Sequence, residues 1–170
     1  SRSWIGLETQ PLINESEPGI LVSGVITGSP AEKAGLRAGD LITRYDGKKV
    51  SARIPEEIPI FNQFVSSRPI NKNVKAVGLR DGSQKVWNIT PIPREPAFAK
   101  ERELKSWGLT IRNFTLMSSL EAQRKNKLGV QVHSTNQGGP SASAKPALSP
   151  GDVIISVNGI SVHSDQDLFE

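Results

Sequence analysis

The chain contains no cysteine. Disulfide staples and thiolate-held metal clusters are therefore excluded, while the redox compartment stays open. Long hydrophobic runs are missing too, so no stretch is apolar enough to span a bilayer. No signal peptide opens the sequence. It begins almost directly on a strand-like stretch and reads as a piece of a longer protein, so the missing leader says little about the parent. Aromatic residues make up 5% of the 170 residues, too few to build stacking platforms for nucleic-acid bases. Neither sign of charge dominates: 21 Lys and Arg face 17 Asp and Glu, a net charge of +4. The basic residues are scattered apart from Arg124-Lys125-Asn126-Lys127, which reads as a solvated helix end and not as a nucleic-acid patch. No nucleic-acid partner is expected. There are only two histidines, His133 and His163, and no His-Glu-x-x-His pair, phosphate-binding loop or dinucleotide fingerprint. No metal and no cofactor are expected.

What the chain does have is an internal repeat. The first copy reads Trp4-Ile5-Gly6-Leu7, a β-branched run over residues 20–26, then Ser29-Pro30-Ala31 through Ala34-Gly35-Leu36 to Gly39-Asp40-Leu41-Ile42, then Asp46-Gly47. The second reads Ser106-Trp107-Gly108-Leu109, residues 128–134, Gly139-Pro140, Ser149-Pro150-Gly151-Asp152-Val153-Ile154 and Asn158-Gly159. A chain of 170 residues fits one large domain or two small ones, and the repeat decides for two. The expected division is domain 1 over 1–93, a charged linker over 94–103 and domain 2 over 104–170.

Local chemistry sets the elements. Residues 4–9 read as a short strand, 10–19 as a loop with Pro11, Asn14 and Pro18, and 20–26 as a buried strand in which Gly24 signals a bulge or a close backbone approach. Ser29-Pro30 opens a short helix, because Ser caps well and Pro suits the first helical position. Gly35 closes it in a left-handed conformation. Asp46-Gly47 is a type I′ hairpin signal. Residues 55–67 form the main helix, with Ile58, Phe61, Phe64 and Val65 on one face. A hairpin around Asp81-Gly82 closes the copy. In the linker, Ala, Lys and Glu favour helix over 97–104. The second copy is expected to hold a helix within 115–127, with Leu116, Leu120 and Gln123 on one face. Pro146 degrades its next helix. Ser164 is the expected cap of its main helix, with Asp165 and Asp167 at the positive end. The first copy runs about forty residues beyond the equivalent of Glu170, so the second reads as truncated. Gly39-Asp40 and Gly151-Asp152 read as turn residues that identify the fold and carry no chemistry.

This order of elements resembles the PDZ module, in the bacterial form found in the HtrA/DegP family of serine proteases. The stretch from Ser29 to Asp40 is the most specific part, and Arg80-Asp81-Gly82 matches the family's late hairpin. The resemblance implies an α+β, mostly β fold: two PDZ-like domains, each a small partly open β-barrel or sandwich flanked by two helices. It also implies that a small-apolar-Gly-apolar loop binds a terminal carboxylate through backbone amides. Trp4-Ile5-Gly6-Leu7 matches that loop, with Trp4 in the place of a small residue, and Trp107-Gly108-Leu109 matches it in the second copy. The ligand would add as a strand beside Leu7 to Thr9 in the first copy, and beside Leu109 to Ile111 in the second. Phe61, Phe64 and Val65 are candidates for the helical wall of the first groove, although one or two of them must serve the core. The implied partners are peptides, unfolded segments or C-termini, and a trypsin-like protease domain in the parent chain, with homo-oligomers as a further partner. The implied location is periplasmic or otherwise extracytoplasmic. Two alternatives remain open: an architectural segment that docks subunits, and the PDZ region of another envelope protease or secretion protein.

No catalytic residues are expected. Asn136-Gln137-Gly138-Gly139-Pro140 is similar to the nucleophile loop of trypsin-like proteases, but Gln137 stands where the serine belongs. A triad needs a serine, a base and an orienting acid in contact. The two histidines both lie in the second copy, within or at the end of strands.

Overall fold

The computed structural model describes residues 2–13 and 18–169. It is mostly β and divides into two units, Ser1–Arg94 and Glu95–Glu170. The expected loop residue Asn14 lies outside the described residues.

The first unit runs β1 (Ser3–Trp4), β2 (Leu7–Pro11), β3 (Ile20–Val25), α1 (Pro30–Lys33), β4 (Leu41–Tyr45), β5 (Lys48–Lys49), a 3-10 turn (Pro55–Glu57), α2 (Ile58–Ser66), β6 (Val74–Arg80), β7 (Ser83–Ile89) and β8 (Ile92–Pro93). The antiparallel sheet has the order β2-β3-β4-β6-β7, with β5 paired to β4, while β1 pairs with β8 apart from it. Ile20, Val22, Ile42, Tyr45, Ala76 and Ile89 are fully buried, and α2 adds Phe61 and Val65 to this core.

The stretch read as one strand over 4–9 is broken at Ile5-Gly6. Gly6 takes a φ of +79°, and a Cβ there would sit 2.3 Å from the Ser29 Cβ. The carbonyls on either side of this bend are tied down, that of Ile5 by the Ala31 amide (2.9 Å) and that of Gly6 by the Ile26 amide (2.9 Å). Close approach and positive φ both demand glycine here. The second strand then extends to Pro11, past the expected loop start, because β2 is an edge strand where proline is tolerated. Beside Gly24 the pairing jumps from Glu8–Gly24 to Thr9–Val22, a bulge that leaves Ser23 as the extra residue.

The caps and turns follow local rules. Ser29 Oγ accepts from the Glu32 amide at 3.3 Å, Gly35 has φ +93°, and Asp46 and Gly47 both have positive φ, as a type I′ turn requires. Asp40 goes beyond a turn role. Its buried carboxylate accepts from the Arg37 amide (2.8 Å) and from Arg80 Nε (2.7 Å) and Nη2 (2.8 Å). Arg80 Nη2 also donates to the Gly35 carbonyl at 2.7 Å. One arginine thus clamps the helix exit and the turn to the β6–β7 hairpin.

The second unit runs β9 (Arg102–Leu104), a 3-10 turn (Lys105–Trp107), β10 (Leu109–Asn113), α3 (Leu116–Glu121), β11 (Val130–Thr135), α4 (Pro140–Ser143), β12 (Val153–Ile154), β13 (Ser156–Val157), β14 (Ile160–Ser161) and α5 (Gln166–Phe169). Its sheet order is β12-β11-β10-β9, with β13 and β14 as a separate ribbon. The expected helix over 97–104 is replaced at its end by β9. Leu104 is buried opposite Leu109, and pairing with β10 gives backbone bonds and core contact that a short isolated helix lacks. The helix expected within 115–127 stops at Glu121: Thr115 and Ser118 form a capping box, and Gln123 turns left-handed at φ +57°. Ser164 stands at the start of the last helix, where its carbonyl accepts from the Asp167 amide at 3.2 Å, but no side-chain bond from its hydroxyl is made among the described residues. Asp167 caps backward, accepting from the amides of His163 (2.7 Å) and Ser164 (3.3 Å). Asp165 turns inward, to Asn113 Nδ2 (3.0 Å) and Arg102 Nη1 (3.2 Å).

The repeat is visible bond by bond. The Val22 amide donates to the Asp40 carbonyl and the Val22 carbonyl accepts from the Gly39 amide, as the Val132 amide donates to the Asp152 carbonyl and the Val132 carbonyl accepts from the Gly151 amide, all at 2.8 Å. The Gly6 carbonyl accepts from Ile26 as the Gly108 carbonyl accepts from Asn136. Asp152 accepts from the Ser149 amide at 2.9 Å as Asp40 does from Arg37. No counterpart of Arg80 reaches Asp152 among the described residues, and β12 pairs only with β11, whereas β4 pairs with both β3 and β6.

Candidate functional site

In the first unit the bend at Ile5-Gly6 and the helix α2 face each other. Between them lies an open cleft of about 260 Å³ lined by Ser3, Trp4, Ile5, Gly6, Leu7, Phe61, Asn62, Val65, Ser66 and Arg94. The Ile5 side chain is buried in the core, so this residue presents backbone to the cleft. The carbonyls of Ile5 and Gly6 are used, as described above. Their amides donate to no carbonyl among the described residues. Two adjacent free N–H groups at a positive-φ glycine make an anion-binding concavity. Trp4 is half-buried, and its ring tip would lie 3.1 Å from a Cβ on Gly6, so it forms one lip of the bend. Beside the bend, β2 is the terminal strand of its sheet and keeps one edge unpaired.

The fold brings most of the first-copy residues expected at a groove to this cleft. Trp4, Ile5, Gly6, Leu7, Phe61 and Val65 line it, while Thr9 sits half-buried further along β2, outside the lining. Phe64 faces the other side of α2. Its ring packs edge-on to Tyr45 at 6.1 Å, with Lys48 Nζ and the Arg68 guanidinium over it at 4.7 and 4.8 Å. Ser3, Asn62, Ser66 and Arg94 line the cleft without a sequence signal that marks them. Arg94 is carried there by the pairing of β1 with β8 and by its own amide bond to the Arg2 carbonyl (2.9 Å).

The second copy is built differently. Gly108 keeps the positive φ of +67°, but its amide donates to the Leu104 and Lys105 carbonyls, both at 3.1 Å. The Trp107 carbonyl accepts from Ser141 Oγ, and the Trp107 side chain is half-buried against the core. Leu109 and Ile111 are fully buried. Most important, the edge of β10 where a ligand strand was expected already carries β9, paired from Leu109–Leu104 to Ile111–Arg102. The expected donor Gly108 and the expected edge are both occupied by the chain itself.

Elsewhere, His133 Nε2 sits 3.0 Å from Glu101 Oε1 on an exposed part of β11, and His163 is exposed. Asn136-Gln137-Gly138-Gly139 forms the connection into α4, the counterpart of the connection into α1 in the first unit. Among the described residues, no cluster of His, Asp or Glu could hold a metal ion, and no helix is long and apolar enough to cross a membrane.

Residues 21–58 match a PDZ domain family model, and residues 98–168 match a second one. A probable periplasmic serine endoprotease, DegP-like, from Chlamydia trachomatis serovar D is 30% identical over 180 residues, covering 99% of this chain and 34% of the relative. The periplasmic serine endoprotease DegP of Escherichia coli K12 is 30% identical over 155 residues, covering 91% of this chain and 29% of the relative. Among solved structures, the HtrA-type protease AlgW with decapeptide is 30% identical with a TM-score of 0.47, covering 56% of this chain and 30% of that one. The chain spans about a third of the length of the first curated relatives it matches. With a match in each repeat, and the two together covering more than half of the residues, the chain belongs to the PDZ domain family, as a tandem PDZ region similar to that of the HtrA/DegP serine proteases.

Proposed function

We propose that this chain is the substrate-recognition and regulatory segment of an HtrA-like envelope protease, and that its first unit captures the C-terminal ends of peptides or unfolded proteins. The observation that carries this reading is the pair of unpaired amides at Ile5 and Gly6, set at the end of a cleft walled by α2. A peptide would add as a strand on the free edge of β2, with its terminal carboxylate on those amides. Backbone bonds would give affinity, and the side chains of Trp4, Phe61 and Val65 would select the last residue. Occupancy would be relayed to a trypsin-like protease domain in the parent protein, located in the periplasm as its relatives are named to be.

Charge-assisted bonds to a carboxylate are worth about 1.5–3 kcal/mol each. Calorimetry on the whole chain is therefore expected to show that a peptide with a free C-terminus binds more tightly than its amidated form. Equal affinity would discard the carboxylate reading in favour of internal segments.

A second reading is favoured for the second unit alone. There the groove edge is filled by β9, while Ile155 and Ile160 are 60% and 73% exposed. Those features suit docking between subunits better than peptide capture.

A further inference from the structure

Away from the bend, the first unit carries two more concavities that meet at β5. An open cleft of about 380 Å³ is lined by Leu41, Arg44, Lys49, Val50 and Leu79 among others. A smaller hollow of about 140 Å³ lies between β5 and α2, against Lys48, Ile60, Phe61 and Phe64. The two share Lys49, Val50 and Ser51. Successive residues of a strand point to opposite faces, so β5 turns one lysine each way. The Lys48 amine stands over the Phe64 ring at 4.7 Å. Lys49 is the direct partner of Arg44 in the β4–β5 pairing, which makes two cationic side chains close neighbours on one face. Arg44 Nη1 donates to the Gly47 carbonyl at 3.2 Å, and no ion pair involves Arg44, Lys48 or Lys49 among the described residues. Asp46, in the turn that joins the two strands, is paired with Arg68 at 3.3 Å. No acidic side chain lines either concavity among the described residues. Ile60, which lines the hollow, is 64% exposed.

Like charges directly opposite on a two-stranded ribbon repel, and a large apolar side chain left in water is unfavourable. One kind of ligand relieves both: carboxylates for the cations, joined to an apolar group for Ile60 and for the half-buried Val50 and Leu79. A small anion alone would leave the apolar residues uncovered. A nucleic acid would need an open aromatic face, and the Phe64 ring already carries Lys48 and Arg68. We propose that the β5 ridge is a second binding surface of the first unit, and that it takes an acidic segment of a partner protein with apolar side chains among its carboxylates. Carboxylates sit on the Arg44–Lys49 pair and on Lys48, and an apolar side chain enters the hollow beside Ile60 and Phe64. This surface needs no terminal carboxylate, so it stands or falls apart from the peptide-end reading above.

The test uses the whole chain and three short peptides, acetylated and amidated so that none offers a terminal carboxylate to the bend: alternating Glu and Leu, alternating Gln and Leu, and alternating Glu and Ser. Fluorescence anisotropy at low salt is expected to give the Glu-Leu peptide about fivefold tighter binding than either of the others, with the advantage over Gln-Leu fading as salt is added. The Glu-Leu peptide should move the amide resonances of Lys48 to Ser51 and leave those of Leu7 to Thr9 in place. R44Q and K49Q are each expected to lower the preference for Glu over Gln, K49R to keep it, and I60S to lower the preference for Leu over Ser. All three positions are exposed, and thermal unfolding of each variant checks that the chain stays folded. Equal binding of the Glu-Leu and Gln-Leu peptides overturns the inference, as does a preference that R44Q and K49Q both leave unchanged. Inorganic phosphate or the Glu-Ser peptide moving the same resonances as strongly overturns it in favour of a plain anion site. Tighter binding to phosphatidylglycerol vesicles, lost in R44Q and K49Q, would assign the ridge to a membrane instead. Shifts at Leu7 to Thr9 with none at Lys48 to Ser51 overturn it too, and would put the peptide in the bend cleft.

Discussion

The Asp40 carboxylate holds donors from two distant parts of the first unit, the Arg37 amide and the Arg80 guanidinium. Burial pushes its pKa up, but the Arg80 and Arg37 bonds outweigh that and hold it below the ordinary 3.8. A carboxyl with a depressed folded pKa stabilises the fold fully above its unfolded value, and that contribution is lost as pH falls through the folded one. Asp40→Ala is expected to cost about 2–3 kcal/mol near neutral pH, since it also leaves the Arg37 amide without its partner. Urea midpoints should fall less on acidification from about pH 7 to about pH 3 in the variant than in the parent chain. An identical pH response in both would show that the clamp contributes nothing. Two glycines make a second residue-scale contrast. Gly35 has φ +93°, and nothing lies within 4 Å of the point a Cβ would occupy, so Gly35→Val should cost only the backbone strain, about 1–3 kcal/mol. Gly6→Ala meets Ser29 at 2.3 Å as well, so it should destabilise further and abolish peptide binding. Denaturation curves in which Gly6→Ala is the milder change would contradict the packing described for the bend.

At the level of elements, β9 decides what the second unit can do. Arg102–Leu104 lies where an added peptide strand would lie, antiparallel to β10, with Leu104 anchored in the core. Replacing residues 102–104 by Gly-Ser-Gly should free that edge. Amide resonances of Leu109 to Ile111 are then expected to move on adding peptide, and to stay still in the unchanged chain. Movement in the unchanged chain would mean that β9 yields to ligands without help. The contrast between β9 and the rest also separates what a sequence can carry from what it cannot. The repeat, the Ser29 cap, the Gly35 exit and the Asp46-Gly47 turn are legible because each depends on residues adjacent in the chain. So is the glycine of the Gly6 loop, through its match to the second copy. A three-residue strand reading Arg-Glu-Leu carries no β signal of its own and exists through its partner. Helical spacing alone groups Phe64 with Phe61 and Val65 on the groove wall. Both phenylalanines pack edge-on to Tyr45, and only the place of Phe64 outside the cleft lining, with Lys48 and Arg68 over its ring, reveals that it faces away. Ser3 and Arg94 reach the cleft by a pairing across the length of the unit, which no local pattern encodes.

Across the whole molecule, the same turn chemistry is used twice with unequal cover. In the first unit β4 is paired on both sides, and Asp40 is clamped by Arg80. In the second, β12 is paired on one side, and Asp152 is exposed with the Ser149 amide as its partner. Val153 and Val157 are half-buried, and Ile155 is 60% exposed. Fewer long-range bonds cross the second turn, so the two units should not share one stability. Hydrogen exchange is expected to be fast across Val153 to Val157 and slow across Leu41 to Tyr45. Asp152→Ala should leave the denaturation profile nearly unchanged, in contrast to Asp40→Ala. An unpaired strand edge next to exposed isoleucines also invites association. Light scattering should therefore show a mean mass that rises with protein concentration, and Ile160→Lys should suppress the rise. A clean monomer at all concentrations, together with strong protection from Val153 to Val157, would mean that the second unit closes its own edge and that the docking reading has no surface to act through.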